Sequence, residues 1–331
     1  MPRVAVIGTG GSIATPARHE LDLFEYGQFA KPMPVDELLA TFAPVLKGFE
    51  IVPVPFRAID SASADAALWL ELSREVARAA ARDPGIEGIV VTHGTSTLEE
   101  TAYFLNLVVK VRVPVVLTAA QRPPNGLSSD AGMNLVNALR VAASPASRGL
   151  GVLVVMNDEV QSAREVAKTS NFRLHAFQTR DFGVLGHVEP DGSVSIYRRP
   201  ARRHAPDTEF DVQQLKELPP VEIVYSYAGA SASAVEAFVA GGCRGIVFAG
   251  MPPGRPSPAQ RVALVKAVQG GVLVVQCSRA GSGRIVQRSE DRDAGFVPAD
   301  NLNPQKARVL AMIALAATTE RREIARMFAE Y

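Results

Sequence analysis

Residues 86–105, Ile-Glu-Gly-Ile-Val-Val-Thr-His-Gly-Thr-Ser-Thr-Leu-Glu-Glu-Thr-Ala-Tyr-Phe-Leu, constrain the fold more than any other stretch. The run from Ile86 to Val91 is apolar and rich in β-branched side chains, which reads as a buried strand. It breaks at His93-Gly94 and restarts as a helix. Ser96-x-x-Glu99 and Thr97-x-x-Glu100 both fit a capping box, so Ser96 or Thr97 is expected to cap that helix. Hydroxyls would then cluster at the positive end of a helix dipole, a place suited to an anion or an oxyanion. The bland alternative is an ordinary strand–loop–helix turn with two capping residues.

The first residues repeat the arrangement. Val4-Ala-Val-Ile-Gly-Thr-Gly-Gly-Ser-Ile-Ala14 is a short apolar strand running into a second hydroxyl-bearing turn. Strands are also expected at Glu50–Val54, 113–118 and 149–156, with helices at 35–46, 65–82 and 133–143 between them. This βαβα alternation predicts an α/β fold whose larger N-terminal domain is a mostly parallel sheet flanked by helices. Such sheets bind ligands at the carboxyl ends of their strands, where both hydroxyl turns fall. Residues 19–33 are polar and aromatic without a clear period, which fits either a mobile lid or a surface loop. A change to charge, glycine and proline, with strand-like pieces around Gly192–Tyr197, suggests a linker over 191–220, separating a domain at 1–190 from a smaller parallel α/β domain at 221–331.

The chain has 331 residues, enough for two domains with their own cores. Thirty-five basic and 34 acidic side chains leave a net charge of +1, a balance that points to neither nucleic acid nor a membrane surface. No apolar run reaches the roughly 20 residues of a membrane span. The two cysteines, Cys243 and Cys277, lie in or beside apolar runs. That fits two buried thiols better than a disulfide, which the spacing leaves open. Cysteines and histidines lack metal-ligand spacing. Met1 leads directly into a strand without a basic and apolar leader, so a cytoplasmic protein is expected. Gly8-Thr-Gly10 follows a strand, but Ile13 stands at the third glycine of a dinucleotide fingerprint, which argues against nucleotide binding.

Thr9-Gly-Gly-Ser-Ile-Ala14 and Thr92-His-Gly-Thr-Ser-Thr97 together resemble the L-asparaginase/glutaminase amidohydrolase family, whose signatures are a TGGTIA-like motif and THGTDT. The similarity continues through Leu153–Asp158, Arg164–Thr169, Arg198–Ala201 and Leu302–Leu310, essentially the whole chain. The resemblance implies hydrolysis of a small-molecule amide by a hydroxyl nucleophile, with no cofactor. Ser12 matches the first catalytic threonine and Thr95 the second; Lys168 matches the lysine beside it, and Tyr26 is the best match to the lid tyrosine. Ser61, after Asp60, matches the residue that holds the substrate's α-carboxylate, with backbone N–H groups near Gly94 and Thr95 sharing the load. Glu290 matches a glutamate lent to a neighbouring subunit, which implies a homo-oligomer, a dimer of dimers.

The departures lie on the amino side of the implied substrate. Ser96 replaces the aspartate that binds the α-ammonium in the family, Ala62 replaces a polar side chain, and Gly250–Arg255 contains no asparagine. Asparaginase is therefore the main expectation. An amidase acting on an amide-acid that lacks or masks the α-amino group, and a non-catalytic ligand-binding relative, are the alternatives.

Overall fold

The computed structural model describes residues 1–331. Two compact units divide the chain, Met1–Gln213 and Gln214–Tyr331.

The strands of the first unit are β1 (Arg3–Gly8), β2 (Glu50–Val54), β3 (Gly88–Thr92), β4 (Val115–Thr118), β5 (Val152–Met156), β6 (Glu159–Ser162), β7 (Ala167–Lys168), β8 (Phe177–Gln178), β9 (Gly186–Val188) and β10 (Val194–Ile196). Eight of them form one sheet in the order β10-β9-β6-β5-β4-β3-β1-β2, while β7 and β8 pair separately. From β2 to β5 every pairing is parallel. Beyond β5 the pairings turn antiparallel. The reversal is made by Asn157-Asp158, both at positive φ (54° and 64°), a two-residue connection suited to the twist of a hairpin. Asn157 N–H donates to Asn134 Oδ1 at 2.9 Å, and Asn137 Nδ2 donates to Asp158 Oδ1 at 2.7 Å, so the turn is held by the helix below it.

The helices of this unit are α1 (Tyr26–Phe29), α2 (Val35–Phe42), α3 (Ala66–Arg82), α4 (Leu98–Val108) and α5 (Ala131–Ala143). Alternate strand residues pack to opposite faces. Val4, Val6, Val90, Val116 and Leu153 form one core with Leu38 of α2 and Leu135 and Leu139 of α5. Trp69 of α3 stacks on Phe104 of α4, with ring centroids 5.5 Å apart. The central strands are buried on both faces, which explains why they read as continuous apolar runs.

The second unit is a parallel sheet in the order β11 (Val221–Tyr225), β12 (Gly245–Gly250), β13 (Leu273–Ser278) and β14 (Val297–Pro298). Its helices are α6 (Ser233–Ala240), α7 (Pro258–Gln269), α8 (Ser289–Asp293), α9 (Pro304–Ala317) and α10 (Arg321–Glu330). Phe248 and Val274 pack with Leu264 and Phe296 in its core. Cys243 and Cys277 are free and buried. Burial pushes the Cys277 thiol up to about 12. No helix of the chain is long and apolar enough to cross a membrane.

Residues 194–196, strand-like in sequence but inside the stretch expected as linker, form edge strand β10 of the first sheet, paired with β9 through Val194–Val188 and Ile196–Gly186. The division between the two units falls after Gln213, inside the stretch expected as linker.

α5 crosses β3 at very short range. A Cβ added at Gly88 would lie 2.1 Å from the Ala142 carbonyl oxygen of the helix. Replacing Gly88 with Ala should force the helix away from the sheet and cost about 1–3 kcal/mol, the usual scale of overpacking. Urea unfolding of the first unit reads this directly; an unshifted midpoint would mean that α5 moves without penalty.

Candidate active site

The two hydroxyl turns emerge side by side because their strands are neighbours ending in register. Gly8 of β1 pairs with Thr92 of β3, and Thr9 N–H extends the ladder to the Thr92 carbonyl at 3.0 Å. Beyond this the two loops meet backbone to backbone. Gly11 has a φ of 82°, and a Cβ there would lie 2.2 Å from Gly94 Cα. Only glycine satisfies both the dihedral and the space. A third segment joins them through the bridge between Gly10 and Ile59, with Gly11 N–H donating to the Ile59 carbonyl at 3.2 Å. This segment brings in Asp60 and the single 3₁₀ turn Ser61–Ser63.

Between these turns and α1 lies a cleft of about 250 Å³. Ser12, Tyr26, Asp60, Ser61, Thr95 and Ser96 all line it. Tyr26 Oη donates to Ser12 Oγ at 2.7 Å. Burial pushes the phenol's pKa up, the Ser12 contact opposes that shift, and Asp130, Asp60 and Asp22 add to it. The phenol therefore carries its proton at neutral pH. Lys168, on β7, donates from Nζ to Thr95 Oγ1, also at 2.7 Å. Burial lowers the lysine pKa, and the Glu99 carboxylate opposes that shift. An amine biased toward neutrality beside a hydroxyl is an arrangement for removing a proton.

The segment expected as a lid or loop carries one helical turn, α1, and is tied at several points. Arg18 pairs with Asp22 at 3.0 Å, and its guanidinium lies over Phe29, 3.7 Å from the ring centroid. Met33 N–H donates to the Ala14 carbonyl at 2.7 Å. Phe24, which also lines the cleft, meets Phe172 edge to face at 5.8 Å.

The expected capping boxes do not form. Thr97 is the N-cap residue of α4, but its side chain makes no capping bond. Thr97 Oγ1 donates instead to the Ser61 carbonyl at 2.8 Å, and Ser96 N–H donates to Ser61 Oγ at 3.2 Å. The Thr97 hydroxyl and the Ser96 main chain thus hold the Ser61 turn against the start of α4. Asp60 caps that turn in its place, accepting from Ala62 N–H at 3.1 Å. Ala62 and Ser96 are exposed. Glu290 belongs to the second unit, on α8; it is exposed and lies 3.6 Å from Arg288.

Residues 3–202 match the family description "Asparaginase, N-terminal", and residues 220–328 match "Glutaminase/Asparaginase C-terminal domain". The chain belongs to the asparaginase family. It is an amidohydrolase of that family. A glutaminase-asparaginase of Pseudomonas fluorescens biotype A is 40% identical over all of this chain and 91% of its own length. A probable periplasmic L-asparaginase of Haemophilus influenzae is 37% identical over all of this chain and 93% of its own. The crystal structure of a probable cytoplasmic L-asparaginase from Campylobacter jejuni superposes with a TM-score of 0.92 at 37% identity, with full coverage of both chains.

Behind the second asparaginase motif lies a buried chain of hydrogen bonds that spacing alone does not reveal. His93 Nδ1 lies 2.8 Å from the Gly94 carbonyl oxygen, which can only accept, so the proton sits on Nδ1. His93 Nε2 then accepts from Thr101 Oγ1 at 3.1 Å, and Thr101 Oγ1 accepts from Trp69 Nε1 at 3.0 Å. Burial lowers the His93 pKa, keeping the ring neutral as this network requires. The sequence signal was there, a histidine at a buried strand–turn junction with a threonine in the first turn of the helix that follows. Thr101→Val should strand the Trp69 and His93 nitrogens and cost about 1–3 kcal/mol per unsatisfied group. Thr101→Ser should restore most of that in thermal melts; equal losses in both variants would rule out the hydroxyl as the cause.

Proposed function

We propose that this asparaginase-family site hydrolyses the side-chain amide of L-asparagine to L-aspartate and ammonia, through acyl transfer to a side-chain hydroxyl. The observation that carries the reading is the pair of hydroxyls on one cleft, each 2.7 Å from a group that can hold or take a proton. Ser12 is the first choice of nucleophile and Thr95 the second. Attack on the amide carbon forms an ester with the enzyme. The amide nitrogen leaves as ammonia after gaining a proton, and water then cleaves the ester. In its neutral form Lys168 accepts the proton of the Thr95 hydroxyl, and the Tyr26 phenol donates to Ser12 Oγ and orients it.

The remaining roles rest on the resemblance and on placement. Ser61, with the backbone near Gly94, binds the substrate's α-carboxylate; Asp60 and Ser96 line the same cleft. Glu290 completes the site of a neighbouring subunit in a homotetramer built from dimers. The enzyme works in the cytoplasm, a reading supported by the likeness to the Campylobacter protein, which is named as cytoplasmic, although the Haemophilus relative is named as periplasmic.

Ammonia release from L-asparagine tests the chemistry. Ser12→Ala and Thr95→Val should each lose roughly 100-fold or more in turnover, the scale of removing a nucleophile or general-base component. Near-normal rates in both would sink the assignment. For the assembly, light scattering should give a tetramer, and Glu290→Ala should raise KM without dissociating it; a fully active monomer would refute the shared site.

A further inference from the structure

The chemistry above uses the Lys168 amine but leaves a buried carboxylate beside it without a task. Glu99 is the second residue of α4 and only 7% exposed. A carboxylate taken out of water needs compensation. The capping-box spacing would have turned Glu99 back onto the start of its own helix. Its Oε2 instead accepts the backbone N–H of Lys168 at 2.9 Å, a contact across 69 residues. The same lysine reaches Thr95 Oγ1 with its amine at 2.7 Å. Glu99 therefore grips Lys168 by the main chain while the side chain reaches the turn that begins the same helix.

Glu99 supplies the charge that acts on the Lys168 amine. From the turn between β3 and α4 come the Thr95 hydroxyl and, next to it, the neutral Ser96. From α4 comes Glu99. The residue opposite Lys168 in the β7–β8 pair is Phe177. Burial works against the ammonium, and Glu99 is the one group whose charge works for it.

We propose that Glu99 is a positioning residue that holds Lys168 against Thr95 and sets how readily its amine gives up a proton. The proposal rests on reading Lys168 as the base. Glu99 touches no reacting atom, and its two effects, grip and charge, are separable. Glu99→Gln keeps an oxygen to accept the Lys168 N–H and removes the charge. Glu99→Asp keeps the charge and shortens the reach. Glu99→Ala removes both.

The direction follows from the charge. The neutral amine is the base, so the rate rises with pH as Lys168 loses its proton. A carboxylate nearby favours the ammonium and holds that rise at higher pH. Without the charge, the acid limb of kcat/KM should move down by about one pH unit, the low end of what an opposite charge at close range does. Turnover on the plateau should fall as well, because a weaker base is a poorer catalyst.

The test is the pH dependence of ammonia release from L-asparagine for the wild type, the three Glu99 variants and Lys168→Gln. It is paired with a ¹⁵N titration of the Lys168 Nζ resonance, assigned by its loss in Lys168→Gln. Glu99→Gln should shift both the limb and the resonance to lower pH with KM unchanged. Glu99→Asp should keep the limb near that of the wild type while lowering turnover. Should Glu99→Gln not fold, Glu99→Ala against Glu99→Asp carries the same comparison of charge. A limb and a resonance unmoved in a folded charge-free variant, with Lys168→Gln inactive, would overturn the role of Glu99 and leave Lys168 as the base. Normal turnover in Lys168→Gln would overturn the base reading and this proposal with it.

Discussion

At Gly11 and Gly94 two loops touch through their main chains, with no space for even one methyl group between them. Adjacent parallel strands that end in register deliver the loops to that point, and the missing side chains let them close. The hydroxyls that follow each glycine, Ser12 and Thr95, can then face one cleft. Separate the backbones by the width of a side chain and the two hydroxyls no longer line one cleft. The site of this asparaginase-family chain is thus set first by steric exclusion and only then by polar chemistry.

That chemistry works because few charges are exposed to one another. The groups at the chemical centre are hydroxyls, a phenol kept protonated and an amine pushed toward neutrality. Behind them, buried polar atoms are satisfied in sequence, from Trp69 through Thr101 and His93 to the Gly94 carbonyl. A network with its donors and acceptors matched resists rearrangement, since any rotation strands a buried atom. The turn that carries Thr95 is held from within the fold, and the amine that addresses it is held from a separate hairpin.

Local pattern made much of the fold legible. The helical spacing of Leu68, Trp69, Leu72 and Val76 placed α3 within one residue of its start, and the apolar runs of β1 and β3 located the core of the sheet. The short strands β6 to β9 were not legible, because two to four residues carry no periodicity. Their signal was instead the Asn157-Asp158 pair, whose side chains tolerate the left-handed backbone of a tight hairpin. The segment around Gly192 read as strand-like pieces within a linker, because an edge strand exposed to solvent uses the same polar residue types as a connection. Ser12, Thr95 and Lys168 were singled out by motif and Tyr26 as the best match to a lid residue, and the structure brings them into two close pairs. The capping signatures misled for a definite reason. Spacing identifies side chains able to bond the helix end, but the partners taken by Thr97 and Glu99 lie 36 and 69 residues away.

Both cysteines of the chain lie in the second unit, buried, and the first unit has none. With its thiol held near 12, Cys277 offers almost no thiolate at neutral pH, and Cys243 is pushed in the same direction. Buried and biased toward the protonated form, both thiols are poor targets for thiol reagents. A single cysteine introduced on the segment around α1 or on the loop bearing Phe172 would be the preferred point of attachment for a fluorophore or spin label. Distances across the mouth of the cleft could then be followed in solution without first removing any native residue.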